Sequence, residues 1–441
     1  MKLRYFAFLL FPLAAFFSCE KVNPDFQQEA ADPAYLHRSV KQLTDVIVHD
    51  IFSPPVASRI YAYSSLAAYE VMASANADYQ SLAGQLNDFS GVPAPQKEVE
   101  YCYPLAAVTA FLKVGQTLIF SEDSMRVFRE KIMAEFDEIG IPGDVKERSL
   151  AYGDEVAAAI IAYSSTDNYK QTRTFPKYSI TDNPAEWQPT PPSYMDGIEP
   201  SWNKIRPFVL DSSGQFTPAP PTAFSLEKDS KFYEEVMEVY TVLDEDREEK
   251  MAIAEFWDCN PFVSHTTGHV MFATKKITPG GHWMGIAMQA AIKVDADFAK
   301  AAATYSLTSI ALADAFISCW DEKYRSRLLR PETFINRYID ENWLPALQTP
   351  PFPEYTSGHS VISRAAAVTL TELYGDNFAF VDSVEVEYGL PVRSFESFLA
   401  ASEEAAVSRL YGGIHYAPAC FNGVDQGEAV GKFINAKLKI K

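Results

Sequence analysis

Cysteine is scarce in this 441-residue chain, with five residues at 19, 102, 259, 319 and 420 and no Cys-x-x-Cys pair among them. That spacing excludes a disulfide scaffold and a cysteine-built zinc module. Cys259, Cys319 and Cys420 read as small buried residues, with a disulfide in an oxidising compartment left open. Positive charge is also short: Lys plus Arg number 38 against 58 Asp plus Glu, a formal net charge of -20. Such a field repels polyanions and argues against a nucleic-acid or anionic-membrane binder, while leaving room for a small basic pocket. The chain shows no Gly-rich nucleotide loop, no GxSxG elbow and no internal repeat. Val/Ile/Thr alternation bounded by tight-turn pairs is rare, which excludes a large sheet. Past the N-terminus, no stretch reads as a transmembrane helix. Apolar residues, by contrast, make up 47% of the chain, enough for a sizeable core.

The N-terminus predicts the compartment. Lys2 and Arg4 precede an apolar run from Tyr5 to Phe17, too short to span a bilayer but suited to a secretory signal. The run ends in Phe16-Phe17-Ser18-Cys19, a small residue before a cysteine, and resembles a bacterial lipoprotein cleavage box with Phe16 looser than the usual Leu. Residues 1–18 read as a lipoprotein signal peptide and Cys19 as the lipidated residue. Removing them takes two basic and no acidic residues, leaving 36 against 58, a charge of -22. The expected location is periplasmic or outer-membrane-anchored.

Most of the remainder carries apolar residues at helical spacing, so the fold class is all-α. Helices are predicted over 33–51, 55–76, 104–120, 123–139, 145–165, 227–256, 283–294, 297–324, 358–374, 393–411 and 424–438. Residues 30–168 form an N-terminal helical layer and 226–441 a helical bundle carrying the site. Between them, 169–225 hold nine prolines from Pro184 to Pro221 together with Trp187 and Trp202. This segment reads either as an ordered excursion that wraps the surface and helps roof a site, or as a plain linker.

Three clusters in the last third place positive residues beside histidine. Trp320-Asp-Glu-Lys323-Tyr-Arg-Ser-Arg-Leu-Leu-Arg330-Pro331 puts Lys323 and Arg330 two helical turns apart, with Pro331 setting Arg330 at a helix end. In Pro350-Pro351-Phe352-Pro353-Glu354-Tyr355-Thr356-Ser357-Gly358-His359, a Ser-Gly turn opens a helix, which suits an anion through its hydroxyl, free N–H groups and dipole. In Ser408-Arg409-Leu-Tyr-Gly412-Gly413-Ile-His415, the glycine pair breaks a helix and lets Arg409 and His415 converge.

Taken in order, Lys-x6-Arg-Pro, Ser-Gly-His and Ser-Arg-x5-His resemble the signature of vanadium-dependent haloperoxidases and type 2 phosphatidic acid phosphatases. Ala254-Glu255-Phe256-Trp257, Pro279-Gly-Gly-His282-Trp283 and Pro200-Ser-Trp202 through Pro207-Phe208 look like features of the secreted bacterial haloperoxidase-like branch. The resemblance implies a vanadate cofactor, or phosphate in the phosphatase version. Lys323, Arg330 and Arg409 would then supply positive charge, and Ser357 with the Gly358 N–H would donate to the oxyanion. His415 would be the metal ligand and His359 the acid/base. Trp320 and Phe352, placed as in the chloroperoxidase type, would wall a halide pocket. The implied reaction is halide oxidation by hydrogen peroxide. In the phosphatase alternative His415 attacks a phosphate ester and His359 protonates the leaving group.

One departure stands out: much of this superfamily places an Asp four residues after the last His, where this chain has Ala419. A ligating or nucleophilic His needs an acceptor to fix its tautomer, and Asp425, a backbone carbonyl or nothing could fill the role. A third reading, a non-catalytic oxyanion-binding lipoprotein, follows from that gap. His265-x3-His269 with His282 nearby suggests zinc, but it lacks the HExxH glutamate, and the preferred reading is a loop bordering the pocket. His37 and His49 read as structural or exposed.

Overall fold

The computed structural model describes residues 22–267 and 270–441, without the side chains of 266, 267 and 270–272. Cys19, the apolar run before it, and His269 lie outside the described residues. The helices in chain order are α1 (Phe26–Ala30), α2 (Ala34–His49), α3 (Pro54–Ala75), α4 (Tyr103–Leu118), α5 (Glu122–Glu138), α6 (Gly143–Ser164), α7 (Tyr169–Thr172), α8 (Lys231–Thr241), α9 (Arg247–Phe256), α10 (Pro279–Lys293), α11 (Phe298–Ser326), α12 (Pro331–Tyr338), α13 (Gly358–Tyr374), α14 (Phe398–Tyr411) and α15 (Ala417–Lys437). Two antiparallel hairpins, β1 (Val263–Thr267) with β2 (Val270–Thr274) and β3 (Phe380–Asp382) with β4 (Arg393–Phe395), and two short 3-10 helices, Trp202–Lys204 and Val384–Tyr388, complete the described elements. The all-α expectation holds.

α11 is the axis of the molecule. Asp297 caps it, its carboxylate accepting from the Lys300 N–H at 2.7 Å. It packs against α3 on one side and against α13, α10 and α15 on the other. By length and hydropathy alone it could cross a membrane, yet its apolar window is wholly buried inside the protein. α3, α4 and α6 form the N-terminal layer; α13, α14 and α15 form the C-terminal one. One apolar core runs through both.

α13 and α15 approach closely because glycines face the seam at four-residue intervals. A Cβ on Gly427 would stand 2.1 Å from the Val361 carbonyl oxygen, and Cβ atoms on Gly423 and Gly431 would meet Ser360 and Val368 side chains at 2.9 Å.

Three helix predictions need correction, the first being 424–438, where α15 already begins at Ala417 with Pro418 in its first turn. The segment 227–256 is two helices, broken after Thr241 within an acidic turn that ends at Asp246 in the left-handed region, φ 51°. Residues 393–395 are strand β4, and α14 begins only at Phe398, capped by the Ser397 hydroxyl. α12 and both hairpins were not anticipated.

The Pro-rich segment packs down. Trp187 and Trp202 are fully buried. The backbone N–H groups of Phe208, Val209 and Leu210 all donate to the buried Asp314 carboxylate of α11, at 2.6, 2.7 and 3.0 Å. The Ile198 carbonyl accepts from the Trp320 indole and the Tyr324 hydroxyl, at 3.2 and 2.6 Å. These bonds remove the plain-linker reading.

Candidate active site

The three sequence clusters converge on one cavity of about 660 Å³, open space at its mouth included. Its polar wall comprises Gly358, His359, Arg409 and His415, and its apolar wall includes Phe316, Trp320, Phe352 and Met195. Met195 and Ile198 come from the Pro-rich segment, which therefore roofs the cavity. Asn260, Pro261 and Phe262, leading into the β1–β2 hairpin, border it as well.

His415 sits in the short turn between α14 and α15. Its Nδ1 is 2.8 Å from Glu354 Oε1, and its Nε2 is 3.0 Å from Arg330 Nη1. Arginine only donates, so Nε2 carries the lone pair and Nδ1 carries the proton given to Glu354. Glu354 Oε1 also accepts the Tyr416 N–H at 3.0 Å. Burial, then the cations Arg330, Lys323 and Arg409, hold the His415 imidazole well below its usual pKa, and so neutral.

Glu354 corrects the reading of the Ala419 gap. The orienting carboxylate comes from the Phe352–Ser357 turn, not from the chain after His415. Asp425 is exposed on α15. The carbonyl of Ala419 instead receives the Ser357 N–H at 3.0 Å, joining the start of α15 to the Ser-Gly-His turn through the backbone. Glu354 lay inside a quoted motif, but only its fold neighbours reveal its role.

Arg330 is fully buried at the N-cap of α12, extended as Pro331 demands. Its Nε donates to the Phe352 carbonyl at 3.0 Å and its Nη1 to the Ile414 carbonyl at 2.8 Å, while Nη2 is buried with no partner among the described residues. Arg409, near the end of α14, donates from Nη1 to the Trp257 carbonyl at 2.9 Å and keeps a buried, unpartnered Nε. His359 Nε2 is likewise buried and unpartnered. Burial, then the charge of Arg409, lowers His359 well below its usual pKa.

Lys323 stands behind the wall, not in it. Its ammonium donates to the carbonyls of Pro353, Glu354 and Thr356, at 3.1, 3.1 and 2.5 Å. It pins the turn that presents Glu354 and Ser357 and lies 5.0 Å from the Phe352 ring centroid. Burial pushes its pKa down to about 8. Ser357 caps α13, its Oγ accepting from the Ser360 N–H at 3.3 Å, and the first residues of α13, Gly358 and His359, line the cavity. Trp320 and Phe352 meet at 5.0 Å between ring centroids.

His265 lies on β1, its Nε2 3.1 Å from the Thr274 hydroxyl, whereas His282 is buried on α10 against Asp382 at 2.7 Å. The His265–His269 pair considered for zinc includes a residue outside the described ones. His37 is buried against the Tyr305 hydroxyl at 2.6 Å, and His49 is exposed. Cys102, Cys259, Cys319 and Cys420 are free thiols.

Comparison with known proteins settles the family. Residues 303–440 match the model of the VCPO second helical-bundle domain. A solved bacterial vanadium-dependent iodoperoxidase shares 55% sequence identity with this chain and superposes with TM-score 0.88, over 92% of this chain and 97% of that one. The chain belongs to the vanadium-dependent haloperoxidases. Holo and apo structures of a bacterial vanadium-dependent chloroperoxidase share the haloperoxidase fold at TM-scores of 0.68 and 0.66, with 16% and 15% identity. The first covers 88% of this chain and 93% of its own, the second 87% and 95%. No curated protein matches the chain.

Proposed function

We propose that this haloperoxidase uses vanadate to oxidise halide with hydrogen peroxide, with iodide as the favoured halide. One observation carries the cofactor: Arg330 Nη2, Arg409 Nε and His359 Nε2 are buried without partners among the described residues, Arg409 and His359 line the cavity with His415, and Arg330 Nη1 lies 3.0 Å from His415 Nε2. Left unpaired, each costs about 1–3 kcal/mol or more. A tetrahedral oxyanion satisfies this set, and its charge matches two guanidiniums and a helix N-terminus. His415 would hold the metal through Nε2, whose lone pair would exchange the Arg330 Nη1–H for the metal. Arg330, Arg409, Ser357 and the Gly358 N–H would hold its oxygens, with Lys323 acting through the turn it pins. The chemistry that vanadate supplies when bound is Lewis-acid activation of peroxide toward halide.

The chain's own residues do the rest. Glu354 keeps the Nδ1 proton in place so that Nε2 stays a ligand. His359, held neutral, is a base able to take a proton from incoming peroxide. Trp320, Phe352 and Phe316 shield the reacting centre from bulk water and offer a polarisable surface to a large halide. Iodide is favoured on the strength of the iodoperoxidase relative, whose identity to this chain far exceeds that of the chloroperoxidase. Secretion and attachment through a lipid at Cys19 complete the proposal and rest on the N-terminal sequence pattern.

Apo-protein, with and without added vanadate, should be assayed with peroxide against iodide, bromide and chloride, and against a phosphate ester. Vanadate-restored iodide oxidation supports the reading. Phosphate-ester turnover that vanadate inhibits, without halide oxidation, would replace it with the phosphatase.

A further inference from the structure

A second cluster of ligand-type side chains lies beside the cavity and takes no part in the anion site. Cys259 follows α9, His282 sits in the first turn of α10, and Glu385 follows β3. Cys259 Sγ is 3.4 Å from His282 Nδ1 and 3.7 Å from Glu385 Oε1, and Nδ1 is 3.0 Å from that same oxygen. All three residues are buried. We propose that Cys259, His282 and Glu385 form a divalent-metal site of the zinc class.

The geometry supports this in three ways. Three atoms with those separations define a triangle whose centre is about 2.0 Å from each corner, and zinc bonds to S, N and O run from about 2.0 to 2.3 Å. An ion therefore sits slightly above that plane without moving any ligand far. Second, the other ring nitrogen of His282 meets Asp382 Oδ2 at 2.7 Å. This is the carboxylate partner that fixes a metal-ligating imidazole with its lone pair toward the metal. Third, the donors come from three separate segments that one ion would tie together, and Cys259 also lines the cavity, which gives an entry path. The thiolate and imidazole set selects zinc over magnesium or calcium.

The site is distinct from the vanadate cradle but mechanically joined to it. Trp257, two residues before Cys259, stacks on His282 at 4.7 Å between ring centroids. Its carbonyl receives Arg409 at 2.9 Å. A metal at Cys259 would fix the strand of chain that positions one of the oxyanion arginines.

The test uses the full-length purified protein, free of vanadate, titrated with cobalt(II) alone, with zinc content measured beforehand. The expected result is about one zinc per chain as purified. After its removal, one cobalt binds with an intense thiolate-to-cobalt band in the near ultraviolet and the visible bands of a four-coordinate ion. Cys259→Ser should abolish the thiolate band, and Asp382→Asn should weaken cobalt affinity by about 10–100-fold. His415→Ala should leave the band in place. Circular dichroism verifies folding, and Glu385→Gln, expected to weaken cobalt binding while keeping the thiolate band, serves as a second variant. Absence of both zinc and the thiolate band in wild type overturns the proposal, as does a band that survives Cys259→Ser or disappears with His415→Ala.

Discussion

Glu354 and His415 lie 61 residues apart in the chain and 2.8 Å apart in the fold, a carboxylate oxygen facing the imidazole Nδ1. That contact decides which nitrogen carries the proton and which the lone pair. Replacing Glu354 by Gln keeps the shape but offers a neutral, ambiguous partner. Vanadate affinity should fall about 10–100-fold, the usual effect of removing the group behind a metal-ligating His. Equilibrium dialysis measures it, and unchanged affinity would show that the Glu354 charge does not orient the ligand.

The same pair predicts a pH dependence. Burial pushes the Glu354 carboxyl up to about 7, against the pull of Arg330, Lys323 and the Tyr416 N–H. The carboxylate is therefore charged above that pH and neutralised below it. Vanadate binding should weaken as the pH falls through about 7 in wild type, and the E354Q profile should be flatter there. Parallel profiles would assign the titration elsewhere.

Arg409 places one hydrogen bond on the Trp257 carbonyl and keeps its Nε free. Arg409→Ala should weaken vanadate binding by about 3–5 kcal/mol, the scale for stripping one partner from a buried charged pair. Isothermal titration with vanadate reads the loss directly.

His37 links α2 to Tyr305 of α11, and burial lowers its pKa to about 4. Its unfolded value is near 6.5, so between those limits the unfolded chain binds more protons than the folded one. The His37 contribution is complete above about 6.5 and lost as the pH falls toward 4. Thermal denaturation of His37→Gln should show a shallower decline than wild type across that window.

Asp314 receives three backbone N–H groups of the roof segment. Asp314→Asn leaves at least one of them unpaired, at a cost of about 1–3 kcal/mol. The expected outcome is a lower melting temperature with faster proteolytic cleavage within 186–225, and unchanged cleavage elsewhere.

The chain disclosed its chemistry more readily than its support. That His359, Arg409 and His415 share one cavity could be expected from sequence, because local Pro and Gly residues mark the turns that present them. The Pro-rich roof was half legible, since its tryptophans implied packing without saying against what. Glu354 was hidden because its duty depends on a residue 61 positions away. The glycine series of α15 and the break after Thr241 were missed for a related reason. A helical glycine or an acidic turn has no meaning until the opposing backbone is known. Lys323 was placed in the right region, but its ammonium is spent on three carbonyls that no spacing rule indicates.

The glycine seam between α13 and α15 has a consequence for how this enzyme can change. α13 begins at Ser357 and Gly358, and α15 begins two residues after His415, so the seam welds both ends of the anion cradle into one block. The opposite side of the cavity is built separately, from Met195, Ile198 and the approach to the β1–β2 hairpin. The floor of the site is one packed unit, whereas the roof is a separate segment held through the Asp314 carboxylate and the Ile198 carbonyl. Differences in substrate choice among such enzymes should accumulate there first.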